Sequence, residues 1–421
     1  MANPRQLRSL IFNSSFGAAT VALAIAFLLV AVAPQPAQAQ TYSVIHNFSG
    51  GEDGGTPEAG VTLDGAGNLY GTASIGGDGY GTAYKLKRSG SNWLLDPLFS
   101  FDLSDGGLPR ARVIFGRNGT LYGTTAEGGT YGPGTVFNLR PFPTVCKTSI
   151  CPWMETVLYN FTGGADGAYP GFGDLLLDPA GNIYNTTFAG GNGNGVVYKL
   201  TPSGGGYAES VLYSFSGPDG SGPLSGVISD SAGNLYGTTY AGGLSGTGTV
   251  YQLMPTGGSG YIETCLNNFR DGNDGGYLYA GLIFDPSGTH LYGATTNGGT
   301  GGGGTVFELT PSANCSWTLQ TIYSFTGTAG GQCGPWASLF MDTAGNLYGT
   351  TYCEGTNNLG NIFELARHNG GWIYTDLHDF GGSDGGNPVS NVSFDSSGNL
   401  YGTASTGGSQ GVGVAWEITA P

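Results

Sequence analysis

Aspartates followed directly by glycine recur along the chain, and their carboxylates are the first groups that could do chemistry. Gathered around one channel, they could hold a cation or accept hydrogen bonds from sugar hydroxyls. A calcium site, however, needs about six to eight converging oxygen ligands, and each Asp-Gly pair also suits a turn capped by its own carboxylate. We favour turn capping, with ligand binding as the alternative, for the whole series: Asp53, Asp105, Asp166, Asp219, Asp274 and Asp384.

The residue just before the first apolar stretch of each repeat varies while its neighbours do not. Such a position is free to carry specificity, and its acidic, basic and aromatic side chains suit a carbohydrate ligand. Ordinary loop packing is the alternative interpretation. Nearby loop aromatics are Tyr80, Tyr131, Tyr240 and Tyr352. The position holds Glu58, Arg110, Gly171, Leu224, Tyr279, Trp336 and Val389, of which we predict Glu58, Arg110, Tyr279 and Trp336 to bind ligand.

The histidines do not form a catalytic arrangement in the sequence. His46 and His378 occupy a position that holds tyrosine in other repeats, so we interpret them as packing residues, while His290 falls in a turn and His368 in a loop. These placements suggest no Ser–His–Asp triad, and the Gly-x-Gly stretches lack the lysine and following helix of a phosphate loop. We expect no catalytic residue and no cofactor, with calcium as the open alternative.

Six cysteines in an exported chain are compatible with disulfide bonds. Cys146 and Cys151 fall in one enlarged loop, where they can close a small ring. Cys333 precedes the first strand of its repeat and Cys353 follows the second, and antiparallel pairing brings these two strand ends together. We predict both bonds. The remaining pair stays open, because outer strands of successive repeats must approach within roughly 7 Å; it comprises Cys265 and Cys315.

A tandem repeat with a core close to GNLYGTT positions these residues. Its tyrosine recurs at Tyr70, Tyr122, Tyr184, Tyr236, Tyr292, Tyr348 and Tyr401, and a phenylalanine recurs in phase at Phe48, Phe101, Phe161, Phe215, Phe269, Phe325 and Phe380. Each unit contains four strand-like runs, which typify the blades of a β-propeller. In the fourth unit they are Ser225–Asp230, Asn234–Thr239, Gly248–Leu253 and Tyr261–Phe269.

The two ends of the repeat region complement each other. The last unit stops after its third strand, Val414–Thr419, whereas an unmatched fourth strand, Tyr42–Phe48, stands at the other end. Pairing of these strands would close a ring and leave no exposed sheet edge, whereas an open solenoid would have distinct caps. The sequence therefore predicts an all-β, seven-bladed propeller of four-stranded antiparallel blades, closed by the N-terminal strand.

The N-terminus has the pattern of a signal peptide. Arg5 and Arg8 precede an apolar run, and Ala37-Gln38-Ala39 resembles a cleavage site. We predict a signal peptide over residues 1–39 and one propeller domain over residues 40–421, with an uncleaved anchor as the alternative. Cleavage removes two arginines and changes the net charge from −16 to −18. Such an acidic chain does not suit nucleic acid or anionic membranes.

The GNLYGTT, GTVFxLTP and LYSFxGGxDGxxP blocks resemble the bacterial GloVer tandem-repeat family of exported proteins with a choice of anchor. The resemblance spans about Tyr42 to Thr419. It implies no defined activity and no catalytic residues. Members often end in an anchoring tail, whereas this chain ends at Pro421 without a hydrophobic or basic one. We therefore expect a secreted or periplasmic monomer, with the cell surface as the alternative.

Three functions are compatible with this pattern. The variable residues on a rigid repeat favour a non-catalytic binding or scaffold module that recognises an extracellular glycan or protein through one loop face. Acidic loops permit an enzyme acting on polysaccharide or cell-wall material at the channel mouth. The repeats are otherwise uniform, which permits a structural envelope protein without a ligand.

Overall fold

The computed structural model describes residues 40–90, 92–142, 153–258, 260–312, 316–327 and 330–420. In these residues the regular structure consists of β-strands and one short 3₁₀ helix at Arg117–Gly119. The strands belong to one unit that runs from Thr41 to Thr419. No helix in the described part of the chain has the length and apolarity needed to cross a membrane. The predicted signal peptide lies outside the described residues.

Twenty-eight strands, β1 to β28 in chain order, form seven four-stranded antiparallel sheets within the described residues. Blade 1 comprises β2 (Thr62–Leu63), β3 (Leu69–Ala73), β4 (Thr82–Ser89) and β5 (Asn92–Ser100); blade 2 comprises β6 (Ile114–Phe115), β7 (Leu121–Thr125), β8 (Thr135–Arg140) and β9 (Met154–Asn160). Blade 3 comprises β10 (Leu176–Leu177), β11 (Ile183–Thr187), β12 (Val196–Ser203) and β13 (Gly206–Ser214); blade 4 comprises β14 (Ile228–Ser229), β15 (Leu235–Thr239), β16 (Thr249–Pro255) and β17 (Tyr261–Asn268).

The remaining blades follow the same plan. Blade 5 comprises β18 (Ile283–Phe284), β19 (Leu291–Thr295), β20 (Thr305–Pro311) and β21 (Trp317–Ser324); blade 6 comprises β22 (Phe340–Met341), β23 (Leu347–Thr351), β24 (Asn361–His368) and β25 (Gly371–Asp379). Blade 7 takes β26 (Ser393–Phe394), β27 (Leu400–Ala404) and β28 (Val414–Thr419) from the end of the chain and β1 (Thr41–Asn47) from its beginning. The blades form a closed seven-bladed β-propeller, which confirms the fold predicted from the repeat.

Strand β1 closes the ring as predicted. It pairs antiparallel with β28 from Thr41 opposite Thr419 to Asn47 opposite Val414. At the same seam Thr403 of blade 7 donates its hydroxyl to the carbonyls of Ala59 and Pro57, which lead into blade 1. The outer edge of the last blade is therefore occupied, as a propeller requires.

The innermost strand of each blade is shorter than the sequence predicts. In blade 4 only Ile228 and Ser229 pair as strand, whereas the predicted run began at Ser225. The preceding residues instead contact the neighbouring blade: the Thr186 hydroxyl of blade 3 donates to the Ser225 carbonyl at 2.7 Å. The same threonine-to-carbonyl bond joins Thr238 to Ala280 at 2.9 Å. These segments therefore join blades rather than extend their own sheets.

The hydrophobic core consists of one apolar cluster between each pair of neighbouring blades. Between blades 3 and 4, for example, buried Phe215 of one blade meets buried Tyr251 of the next, with ring centroids 5.0 Å apart. Within a blade, the aromatic ring of the third strand lies over the second glycine of the GNLYGTT core. At Gly237 of blade 4, for example, a Cβ would lie 2.3 Å from the Tyr251 hydroxyl. The repeated glycine is thus required by a close approach rather than by a turn.

The turn between the first two strands of a blade is capped by an aspartate. Asp64 accepts hydrogen bonds at 2.9 Å from the backbone N–H groups of Ala66 and Asn68, and its second oxygen accepts bonds from the Asn68 amide and the Tyr70 hydroxyl. Burial opposes ionisation, but these bonds outweigh it and hold the pKa of Asp64 below its usual value. The shape of this Asp-to-Asn turn therefore follows from its hydrogen bonds.

We expect Phe215→Ala to destabilise the ring strongly. The side chain is fully buried at a blade interface, and removing such a ring costs about 3–5 kcal/mol through lost contacts and a cavity. Denaturant unfolding followed by circular dichroism measures the loss. Phe142→Ala is the control, because Phe142 is 50% exposed and should change the free energy of unfolding by less than about 0.5 kcal/mol. Equal effects of the two substitutions would contradict the inter-blade core.

Candidate functional site

A cavity of about 400 Å³ lies where the innermost segments of the seven blades meet. This volume falls in the range of about 300–1,000 Å³ that is common for small-molecule sites. Its mouth is formed by the loops that lead into the innermost strands. These loops bridge to the loops between second and third strands, as at Gly55 with Ile75 and Gly386 with Thr406, so both loop sets lie on one face.

One wall of the cavity carries two ion pairs. Arg110 Nε lies 2.9 Å from Glu58 Oε2, and the Arg110 guanidinium also lies over the Phe172 ring, 5.2 Å from its centroid. Burial raises the pKa of Glu58, and the charge of Arg110 only partly offsets this effect. Deeper in the same wall, Arg112 donates to Asp174 Oδ2 from Nε at 3.0 Å and from a terminal nitrogen at 2.6 Å.

The second ion pair reaches across the channel. Asn391 of blade 7 donates to Asp174 Oδ2 of blade 3 at 3.4 Å. Arg112 of blade 2 donates to Ser393 of blade 7, also at 3.4 Å. This polar group of four residues, Arg112, Asp174, Asn391 and Ser393, forms the deeper tier of the cavity and connects three blades.

A ladder of aromatic rings supplies the wall on the side of blades 5 and 6. Trp336 stacks on Tyr279 with centroids 4.2 Å apart and on Tyr352 with centroids 4.4 Å apart. Tyr240 meets Tyr279 edge to face at 4.9 Å. The indole N–H donates to the Gln332 carbonyl at 2.9 Å. Of the ladder, Tyr279 and Trp336 line the cavity, and because both faces of Trp336 are covered, its indole presents no stacking face there.

A disulfide bond lies directly beside this ladder. Cys333 and Cys353 are bonded as predicted, with their Cα atoms 4.6 Å apart. The bond joins the loop that carries Trp336 to the loop that carries Tyr352, and Cys353 N–H also donates to the Cys333 carbonyl. The predicted Cys146–Cys151 bond lies outside the described residues, as does Cys315.

Cys265 forms no disulfide with any described residue. Its thiol lies on β17, where Asn268 donates to the sulfur at 3.0 Å. Burial, with a smaller effect of Glu263, raises the thiol pKa to about 11. Because only the thiolate is a good nucleophile, the raised pKa lowers the reactivity of this thiol.

The structure brings the four predicted ligand residues together. Glu58, Arg110, Tyr279 and Trp336 all line the cavity, together with Val389. Leu224 of the same sequence position is instead buried. Ligand binding by the four residues stays a prediction.

Sequence reasoning chose the wrong residue of blade 3 for this position. Gly171 packs against Ala126 and does not line the cavity, whereas Phe172 lines it and is 38% exposed. Blade 3 has one extra residue between Pro170 and the turn aspartate Asp178. Counting back from Asp178 instead of forward from the proline would have found Phe172. Arg112, Asp174 and Asn391 of the deeper tier share the position two residues further along their repeats, which the sequence analysis missed.

The recurrent loop aspartates do not line the cavity in the described residues. Most of them cap their own turns: Asp166, for example, accepts hydrogen bonds from Thr162 N–H at 2.8 Å and from the Tyr159 hydroxyl at 3.1 Å. Asp53, Asp105, Asp219 and Asp384 cap in related ways, while no hydrogen bond to the Asp274 side chain is seen in the described residues. Ligand binding by these carboxylates stays a prediction. No group of three or more metal-ligating side chains is present in the described part of the chain.

The two outer-strand histidines contribute to these turns. His46 Nε2 lies 3.0 Å from Asp53, and His378 Nε2 lies 2.9 Å from Asp384. Both rings also pack as expected, with His378 stacked on Tyr42 at 3.6 Å. His368 ends strand β24 rather than lying in a loop. The histidines therefore replace tyrosine both as packing residues and as turn donors.

The loop aspartates also act on a glutamate of the next blade. Burial and the charges of Asp105 and Asp102 raise the pKa of Glu155 to about 8. Glu209 and Glu263 occupy the same position in blades 3 and 4, and burial together with the loop aspartate of the preceding blade raises each pKa to about 7. These three glutamates on the outer strands are thus protonated more readily than ordinary carboxyl groups.

A closed ring of seven blades around a ligand-sized cavity places the chain among the seven-bladed β-propellers. Residues 32–151, 144–262 and 256–421 match the Gloeobacter/Verrucomicrobia repeat, and the chain belongs to this family, as its repeat motifs indicated. No curated protein matches the chain.

Several solved structures are similar in fold. The extracellular domain of a protein described as a one component system from B. thetaiotaomicron matches with a TM-score of 0.53 and 10% identity, over 90% of this chain and 40% of that chain. A protein from Lactobacillus plantarum matches with a TM-score of 0.49 and 18% identity, over 79% and 86%. A luciferin-regenerating enzyme matches with a TM-score of 0.44 and 12% identity, over 90% and 95%. The first likeness shows the fold alone.

We expect Glu155→Gln to stabilise the protein at alkaline pH. The folded state holds the Glu155 proton up to pH about 8, whereas the unfolded chain loses it near pH 4.3. Wild-type stability attributable to this group therefore falls as the pH rises between those values. Partial exposure limits the gain to on the order of 1 kcal/mol at pH 9. Thermal melts at pH 4 and pH 9 test this, with exposed Glu52→Gln as the control; an equal gain at both pH values would contradict it.

Proposed function

We propose that this chain is an exported, non-catalytic propeller that binds a sugar or the end of a glycan in its axial cavity. The signal-peptide pattern of residues 1–39 and the Cys333–Cys353 bond support export, since disulfides persist mainly in oxidising compartments. Glycan binding rests on the composition of the cavity, in which polar donors and acceptors lie beside the exposed ring of Phe172.

The single observation that carries this proposal is the asymmetry of the cavity wall. A purely structural propeller needs only packing along its axis, yet this chain keeps two ion pairs and an exposed Phe172 there. Partly solvated charged pairs add little to stability, so packing alone does not account for them. The ion pairs supply hydrogen-bonding groups and Phe172 supplies exposed ring surface, and these match the two kinds of face that a sugar presents.

Hydrolysis of polysaccharide is the second candidate function, favoured by one observation. Glu58 lies in the cavity with a raised pKa, as a general acid requires, and Asp174 is a second carboxylate in the same cavity. Turnover of a polysaccharide that is abolished in Glu58→Gln, with the fold retained, would favour this candidate over binding alone.

We expect Phe172→Ala to weaken saccharide binding about tenfold. Loss of an exposed aromatic contact at a sugar site is worth on the order of 1.4 kcal/mol, which corresponds to that factor. A glycan array selects the saccharides, and isothermal titration calorimetry on the purified chain then measures affinity.

Phe142→Ala provides the matched control for this measurement. It is the same substitution at another exposed phenylalanine, and Phe142 does not line the cavity. Equal affinity of the Phe172 variant and wild type for every bound saccharide would place the binding site elsewhere. Absence of saturable binding to any saccharide would contradict the proposed sugar binding.

A further inference from the structure

We propose that the axial cavity selects an uncharged sugar and that Arg112 and Asp174 hold two adjacent hydroxyls of it. This inference rests on the proposed function and specifies the class of ligand. The charges that line the cavity balance. The two cations, Arg110 and Arg112, are each paired with one anion, Glu58 and Asp174 respectively, so these paired charges cancel.

The deeper ion pair retains unused hydrogen-bonding capacity. Both short bonds from Arg112 converge on Asp174 Oδ2, and no described residue donates to Asp174 Oδ1. The remaining terminal nitrogen of Arg112 reaches only Ser393, at 3.4 Å. The side chains are 28% and 32% exposed within the cavity wall. Asp174 Oδ1 can therefore accept a further hydrogen bond, and the terminal nitrogen of Arg112 can donate one. This pair of groups complements two neighbouring hydroxyls, one of which donates and one of which accepts.

Charged ligands fit this arrangement less well. An anionic sugar would compete with Glu58 and Asp174 for the two arginines, and it would approach a chain of net charge −16 against the field of the protein. A cationic sugar would find both carboxylates already paired. An uncharged polyol uses the free donor and acceptor and leaves both ion pairs intact, so desolvation of an unpaired charge is avoided.

The test compares methyl glycosides of glucose and galactose with the matching methyl uronides, which differ only in a carboxylate at C6. Methyl mannoside, xyloside and N-acetylglucosaminide complete the neutral set. Ligand-observed NMR titration of the purified chain measures each affinity. The wild type is expected to bind at least one neutral glycoside of a matched pair about tenfold or more tightly than its uronide.

Asp174→Asn should reverse this preference. It leaves the Arg112 charge unpaired, so neutral binding should fall about tenfold through loss of a charged hydrogen bond, while uronide binding should strengthen. Asp96→Asn is the control, since it removes the same charge from outer strand β5, away from the cavity, and should change neither affinity. The double variant Arg112→Gln/Asp174→Asn restores neutrality and should not gain uronide binding. Melting curves verify the fold of each variant.

The outcomes separate this inference from the proposed function. Wild-type binding of a uronide as tightly as its neutral partner, with binding weakened in Phe172→Ala, would overturn charge-balanced selection and leave sugar binding in place. An Asp174→Asn chain that melts like wild type and keeps the wild-type preference would also overturn the role of Arg112 and Asp174. Failure of every glycoside to bind would overturn both the inference and the proposed function.

Discussion

The ring depends on contacts made by the second strand of each blade. A glycine in this strand leaves room for the aromatic ring of the third strand of the same blade, as at Gly402 beside Trp416, where a Cβ would lie 2.3 Å from the indole. The following threonine then bonds to a carbonyl of the next blade, as Thr350 does to Ser390 at 2.9 Å. The glycine thus governs packing within a blade and the threonine bond joins neighbouring blades, so the residues just before an innermost strand bond to the neighbouring blade rather than extend their own sheet.

Blade 3 departs from this pattern, and the departure shapes the cavity. Asn185 replaces the glycine and donates to the Gly173 carbonyl at 2.9 Å. The extra residue before Asp178 shifts the innermost segment, and the hydroxyl of Thr124 in blade 2 has no partner among the described residues. With this shift, Phe172 lines the cavity and part of its surface is exposed. A local loss of inter-blade bonding thus coincides with the exposed aromatic residue of the site.

The fold was predictable because its signals are periodic. Seven phased tyrosines and phenylalanines gave the blade count, and the unmatched strand Tyr42–Phe48 predicted closure correctly. The Cys333–Cys353 bond followed from antiparallel strand geometry alone. Site details were less accessible, because they depend on departures from the period: one inserted residue moved the cavity position from Gly171 to Phe172. The covered faces of Trp336 follow from packing between three loops distant in sequence, which no single repeat encodes.

The aromatic side of the cavity is held in place by a disulfide bond and by ring stacking, and the stacking leaves few ring faces free for a ligand. In other blades the loop before the first strand and the loop after the second meet through a backbone bridge, as at Ser221 with Ala241. In blade 6 the disulfide joins these two loops, and the ladder of Tyr279, Trp336 and Tyr352 lies beside it. A wall fixed in this way loses little conformational entropy when a ligand binds. Because its ring faces are already stacked, recognition must come from the opposite wall, where the ion pairs and Phe172 stay accessible.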